Sequence, residues 1–208
     1  MARHVFKGRT CRSVTGNTLI LLISGLVLFI VMHAFRELGW RDPLVHTLGR
    51  IRYKLLVCSG IAGSLVLMTI GKSGAPFVQI WVPPFPLRDM TLLVMISSSI
   101  VFFAGLLPAS HTRALVGHPM LVGVFLWGIA HLASNGDLAS MLLFGSLACW
   151  AVWKFVVLER RRDQTQQRHS ETPALQWDAA AILLGMIAYG ALLVFHGPLF
   201  GFALTGPV

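Results

Sequence analysis

The amino-acid sequence predicts an all-α, polytopic integral membrane bundle of about six transmembrane helices. The chain has 208 residues, of which 55% are hydrophobic and only 12% are charged, whereas a soluble domain averages about 25% charged residues. Apolar runs of about 20 residues recur along the chain, which is the length that a helix needs to cross a bilayer. Helices also satisfy their own backbone polar groups in lipid, and short alternating strands are not seen. These observations together define the class.

The placement of the charged residues favours a membrane surface over a nucleic-acid partner. Lys and Arg number 17 against 8 Asp and Glu, a formal net charge of +9. In a soluble protein such an excess would suggest nucleic acid, but here the charges are confined to short connections between apolar runs. We therefore expect them to set the membrane topology and to meet anionic headgroups. The predicted partner is the lipid bilayer.

The chain divides into a basic tail over residues 1–16 and one transmembrane domain over residues 17–208. Pro119 suits the first turn of a helix, Asn135 and Gly136 form a turn signal, and Asp137 is well placed as the N-cap of the next helix. Small residues at 59–60 and 63–64 predict close helix approach in the second span. The predicted spans are 17–35, 52–71, 89–107, 119–134, 138–158 and 178–195.

The distribution of Lys and Arg predicts the orientation. Most of them lie in the connections after the first, third and fifth spans, and positive connections stay in the cytoplasm. Both termini are therefore expected outside the cytoplasm. Four positive residues near the N-terminus favour the opposite orientation: Arg3, Lys7, Arg9 and Arg12.

Histidines inside or beside the spans are the candidate functional residues. The chain has 8 histidines, and four of them lie in or at the ends of spans: His33, His118, His131 and His196. A lone membrane histidine often hydrogen-bonds to a neighbouring helix, but four in so apolar a chain favour a shared cofactor or a proton path. His118 and His131 are separated by ~20 Å along one helix and cannot ligate one metal. A shared site must join different helices, as in a b-type haem held by two histidines.

Depth in the membrane and local context leave alternatives open for these histidines. Depth alone pairs His33 with His118, and His131 with His196. A histidine before Pro119 can also satisfy free backbone NH groups or contact headgroups at the helix start. His196 is predicted to end the sixth helix, where the helix dipole favours a histidine cation.

Two charged residues near the histidines have both a functional and a structural interpretation. Arg36 follows His33 by three residues, on nearly the same helix face, where it could neutralise a haem propionate or serve as an ordinary interfacial arginine. Asp137 is interpreted as a helix cap, with proton transfer as the other possibility. The remaining four histidines fall in polar connections and are expected to be solvated: His4, His46, His111 and His169.

A long block from His118 resembles the NnrU family of bacterial membrane proteins. The block is "HPMLVGVFLWGIAHLASNGDLASMLLFG", and the resemblance extends to "VMHAFRELG", "RIRYKLLVCSG", "IWVPPFPLR" and "VFHGPLFG". NnrU proteins are associated with denitrification and with nitric oxide or nitrite reduction. The resemblance implies a multi-pass protein of the bacterial inner membrane, with nitrite or nitric oxide reductase components as candidate partners.

The NnrU family is similar in turn to zeta-carotene isomerase, a membrane protein that uses haem b to isomerise a polyene double bond. That resemblance implies haem b as the cofactor, with His33 and His131 as its iron ligands. His118 and His196 remain alternative ligands. The isomerase pattern has a cysteine three residues before the second histidine, where this chain has Gly128, so a ligand switch of that form is not expected here.

Several functions remain open at the level of the sequence. The first is a haem b protein with redox or isomerase-like chemistry linked to nitrogen oxides. The second is a non-enzymatic membrane factor that assembles or supplies nitrite or nitric oxide reductase. A membrane methyltransferase is less favoured, because "GHPMLVG" is similar to "RHPxYxG" but the polar segment near 159–173 has no tyrosine. A small transporter lined by His131 and Asp137 is less favoured because no internal repeat is seen.

Overall fold

A computed structural model of the chain describes residues 11–108, 110–165 and 172–200. Within these ranges the backbone is helical, apart from connecting segments and one isolated bridge between Gln79 and Asp137. The all-α class is therefore confirmed. The helices are α1 (Cys11–Ala34), α2 (Arg41–Leu48), α3 (Arg50–Ser73), α4 (Phe85–Ala104), α5 (His111–Val116), α6 (Pro119–Ser134), α7 (Leu138–Thr165) and α8 (Leu175–Phe200).

Six of these helices coincide with the six predicted membrane spans. Four are long and apolar enough to cross a membrane by length and composition: 17–34 in α1, 50–73 in α3, 138–162 in α7 and 175–197 in α8. Two shorter apolar helices, 89–104 in α4 and 119–134 in α6, account for the third and fourth spans. At 1.5 Å per residue, α6 is only about 24 Å long, shorter than a typical hydrocarbon core.

Helix ends and short helices differ from the sequence prediction in several places. The sixth helix does not stop at residue 195, since α8 continues through Pro198 to Phe200, and a proline near a helix end removes only one backbone hydrogen bond. The third span ends at Ala104 rather than at residue 107. The short helices α2 and α5 lie in predicted connections, because six to eight residues are too few for a helical periodicity to stand out.

The chain forms two compact units, Met1–Val78 and Gln79–Val208, and each is described by itself. In the first unit, α1 packs against α3, and the short α2 lies on α3. A β-carbon at Gly25 would lie 2.9 Å from the Met68 backbone nitrogen, and one at Gly60 would lie 2.6 Å from the sulfur of Met32. The close approach predicted for the small residues of the second span is confirmed at Gly60, whereas Gly63 has open space beside it.

In the second unit, α6 packs between α4 and α7, and α4 packs between α6 and α8. Ser98 Oγ donates to the Gly123 carbonyl at 2.8 Å, and Thr91 Oγ1 donates to the Ala130 carbonyl at 3.0 Å. These two bonds show that α4 and α6 run antiparallel. The bond from Thr91 also places the second half of α6 beside the first half of α4.

The surfaces of the long helices carry many exposed large apolar side chains. Val27 is 55% exposed, Val66 is 57% exposed and Ile187 is 59% exposed. A soluble protein rarely leaves such contiguous apolar faces in water. Because these residues lie on helices of membrane-spanning length, we interpret their faces as the lipid-contacting surface.

Candidate functional site

His131 lies at the end of α6 in the second unit, where the helix meets a tight connection. Pro119 begins the helix in its first turn, as predicted. Asn135 ends it, because its backbone NH and its Nδ2 both donate to the His131 carbonyl, at 2.9 and 2.8 Å. Asp137 then caps α7 by accepting from the Ser140 NH at 3.0 Å, which confirms the predicted N-cap. Hydrogen bonds at the end of α6 and at the start of α7 therefore fix the backbone of the connection that follows His131.

Aromatic rings surround the His131 imidazole. The Phe144 ring of α7 stacks on it with centroids 4.4 Å apart, and the Trp127 ring lies 5.0 Å away. Trp127 and Phe144 also contact each other edge to face at 4.9 Å. The imidazole is half-buried within this cluster. Its ring plane is thus set by its neighbours.

The hydrogen bond made by His131 fixes its tautomer. Nδ1 lies 2.9 Å from the Trp127 carbonyl, one turn earlier in the helix. A carbonyl oxygen can only accept, so Nδ1 is the donor and carries the proton, and in the neutral ring Nε2 presents a lone pair. Metal-ligating histidines in proteins almost always donate their other ring NH in this way.

His33 shows the same local arrangement in the first unit. It lies in the last turn of α1, and its Nδ1 lies 2.8 Å from the Phe29 carbonyl, again one turn earlier. The Phe29 ring lies 4.1 Å from the imidazole. The same reasoning makes Nδ1 the donor of His33. Both histidines predicted as ligands therefore share two features. Each follows an aromatic residue by four positions, and the Nδ1 of each donates to the carbonyl of that residue.

His118 has a different environment at the start of α6. It occupies the N-cap position without a side-chain capping bond. Its Nε2 faces a Glu159 carboxylate oxygen of α7 at 3.5 Å, and its ring meets Phe155 edge to face. Glu159 in turn lies 3.4 Å from Arg162. His118 is thus part of a small charged cluster that joins the start of α6 to the end of α7, and not part of the aromatic cluster around His131.

The prediction that His196 ends the sixth helix is wrong. His196 lies within α8, because this helix continues to Phe200. The residue is half-buried. It belongs to the second unit, as His131 does.

Two further positions bear on the predicted site. Arg36 lies just beyond the end of α1 and is exposed, so its guanidinium is accessible near the membrane edge. Gly128, which stands where the isomerase pattern has a cysteine, is buried against α7. A β-carbon there would lie 3.0 Å from both the Ala148 β-carbon and the Phe144 carbonyl. Helix packing thus accounts for the glycine at this position.

Sequence reasoning missed the partners of these histidines. Neither Phe29 nor Trp127 is identified there as a partner of a histidine. The signal was present as the repeated spacing of "FIVMH" and "WGIAH". Phe144 and Glu159 could not be found in this way, because their contacts depend on how α6 and α7 pack together. Among the described residues, no group of three or more His, Cys, Asp or Glu side chains converges as a protein-only metal site would need.

The helices and their histidines define a multi-pass helical membrane protein with histidines whose tautomers are fixed by backbone bonds. The family model of the NnrU protein matches residues 21–204. Because this match covers most of the chain, the chain belongs to the NnrU family. No curated protein and no solved structure matches it.

Proposed function

We propose that this NnrU protein binds haem b in the membrane, with His131 and His33 as iron ligands, and acts in nitrogen-oxide related redox or isomerase-like chemistry. The observation that carries the proposal is the shared geometry of the two histidines. Each donates Nδ1–H to the carbonyl of an aromatic residue one turn earlier, at 2.9 Å for His131 and 2.8 Å for His33. That bond leaves Nε2 as the basic nitrogen of each neutral imidazole.

The chemistry of the residues fits a haem ligand set. Haem iron takes neutral imidazole ligands, and the surrounding aromatic and aliphatic side chains set solvent access and dielectric. The Phe144 and Trp127 rings restrict the rotation of His131, so the ligand is oriented before anything binds. Arg36 is exposed just after α1 and would neutralise a propionate carboxylate at the membrane edge.

When bound, haem with two imidazole ligands supplies electron transfer, or substrate binding after one ligand is released. The contribution of this chain is to hold each imidazole in one tautomer and one plane. The Asn135 side chain holds the backbone of His131, because its Nδ2 donates to the carbonyl of that residue at the helix end.

The experiment is an absorption spectrum of the detergent-purified full chain after haem-replete expression. We expect a Soret band in the wild type, and its loss in His33→Ala and His131→Ala. His118→Ala is the control, since that imidazole faces Glu159 and should leave the band intact. Addition of free imidazole should restore the band in His131→Gly, which separates loss of a ligand from loss of the fold. Absence of a Soret band in the wild type would refute haem binding.

A non-enzymatic assembly or supply factor for nitrite or nitric oxide reductase is the alternative. It predicts co-purification with reductase components and no spectral difference between the wild type and His131→Ala. The same preparations therefore discriminate between the two functions. A band that depends on His131 supports the haem protein, and partner capture without such a band supports the assembly factor.

A further inference from the structure

A cationic surface lies on the first unit where α1, α2 and α3 join. We name it the hairpin patch, and all of its members are exposed: Arg36, Arg41, Arg50, Arg52 and Lys54. The same segment holds only two carboxylates, Glu37 and Asp42. Its formal charge is therefore positive over a short stretch of surface.

Among the described residues, few carboxylates pair with the cations of the hairpin patch. Arg41 lies 2.9 Å from the Asp42 carboxylate, but both side chains are largely exposed, so this pair is weakened by water. For the other four cations no ion pair is found within the part of the chain that the structure describes. An external anion can thus approach them without displacing an internal partner.

The hairpin patch also carries exposed apolar side chains at the edge of the membrane. Ile51 is 77% exposed and Leu55 is 65% exposed, and they lie on α3 directly beside Arg50 and Lys54. Arg50 and Lys54 are four residues apart, so they share one side of the helix. Trp40 is 50% exposed, and tryptophan rings are enriched at the headgroup level of membranes.

We propose that the hairpin patch binds the headgroups of anionic phospholipids, with Arg50 and Lys54 at its centre. The membrane span of α3 begins at Arg50, and that of α1 ends at Ala34, so the patch lies where both helices leave the bilayer. A phosphate group meets the cations while the acyl chains cover Ile51 and Leu55. A soluble acidic partner would satisfy the charges but leave this apolar edge uncovered.

The test measures binding of phosphatidylglycerol and phosphatidylcholine to the purified full chain in detergent, by native mass spectrometry. We expect the wild type to prefer phosphatidylglycerol. The preference should fall about fivefold in each single variant, Arg50→Gln and Lys54→Gln. In the double variant it should fall by the product of the two factors. It should also weaken when the salt concentration is raised to about 0.5 M, because exposed charges are screened.

Two controls keep the proposal open to refutation. Arg50→Lys/Lys54→Arg retains both charges and should bind like the wild type. Arg160→Gln removes one exposed cation from α7 and should change the preference less than either single substitution in the patch. Equal binding of the two lipids by the wild type, a preference insensitive to salt, or an equal loss in Arg160→Gln would each overturn the proposal.

Discussion

Several polar side chains within the apolar helices donate to backbone groups close to them in the chain. His131 and His33 donate to carbonyls one turn earlier, and the buried Ser64 hydroxyl donates to the Ile61 carbonyl at 2.6 Å. In a bilayer an unpaired polar group costs several kcal/mol, so local bonds make these residues tolerable. In both histidines this bond places the proton on Nδ1.

Asp137 provides the clearest test at the scale of one residue. It is buried, and its carboxylate accepts from the backbone NH and from the hydroxyl of Ser140. Asp137→Ala removes an N-cap and leaves two buried donors without this partner, so we expect a loss of about 1–2 kcal/mol in stability. A thermal melt in detergent measures the effect. The control is Asp89→Ala, since Asp89 is exposed; an equal drop in melting temperature would contradict the assignment.

Close helix approach through glycine organises the elements of the second unit. A β-carbon at Gly123 would lie 2.8 Å from the Phe102 backbone nitrogen, and one at Gly185 would lie 2.7 Å from the Ile100 α-carbon. Both contacts involve backbone of α4, which cannot move aside as a flexible side chain can. The glycines therefore set the spacing of α6 and α8 on either flank of α4.

A pair of glycine substitutions tests this spacing. Gly123→Ala forces α4 and α6 apart, so we expect a lower melting temperature and weaker packing of α6. Gly145→Ala adds the same methyl group to α7 at a position with nothing within 4 Å. There the higher helix propensity of alanine should leave stability unchanged or raise it by up to about 1 kcal/mol. Equal destabilisation by both substitutions would argue against glycine-mediated packing.

A second element-scale contact fixes the short helix α5. Asp178 of α8 accepts from the backbone NH groups of His111 and Thr112 at 2.9 and 3.0 Å, and from the Thr112 hydroxyl at 2.8 Å. A six-residue helix is not stable alone. In Asp178→Ala we expect the amides of α5 to exchange faster with deuterium, as measured by mass spectrometry. Asp89→Ala is the control, and unchanged protection of α5 in Asp178→Ala would refute the role of this carboxylate.

The length of the apolar runs explains why six helices could be predicted from the sequence and why two short helices could not. The long runs located six helices, because lipid forces each run to satisfy its own backbone bonds. The apolar runs did not reveal α2 or α5, because the ends of these short helices depend on surface contacts such as that of Asp178 with α5. The candidate ligands His33 and His131 came from motif resemblance, whereas the ring contact of His131 with Phe144 required the packing of α7.

At the scale of the whole molecule, the six spans predicted from the sequence are an even number, which predicts that both ends of the domain lie on one side of the membrane. The Lys and Arg distribution predicts that this side is outside the cytoplasm. A phosphatase fused after Val208 should therefore be active, and a fluorescent protein fused at the same place should be dark. The opposite pattern would mean that the four N-terminal cations control the orientation.

The most direct test of haem binding is a titration of the apo-protein with haemin, followed in the Soret region. We expect a saturable red shift that ends near one haem per chain and is absent in His131→Ala. The Phe144→Leu variant should bind more weakly, because the ring that stacks on His131 is lost. A shift of the same size in the wild type and His131→Ala, or no saturable shift in the wild type, would contradict the claim that this imidazole ligates haem.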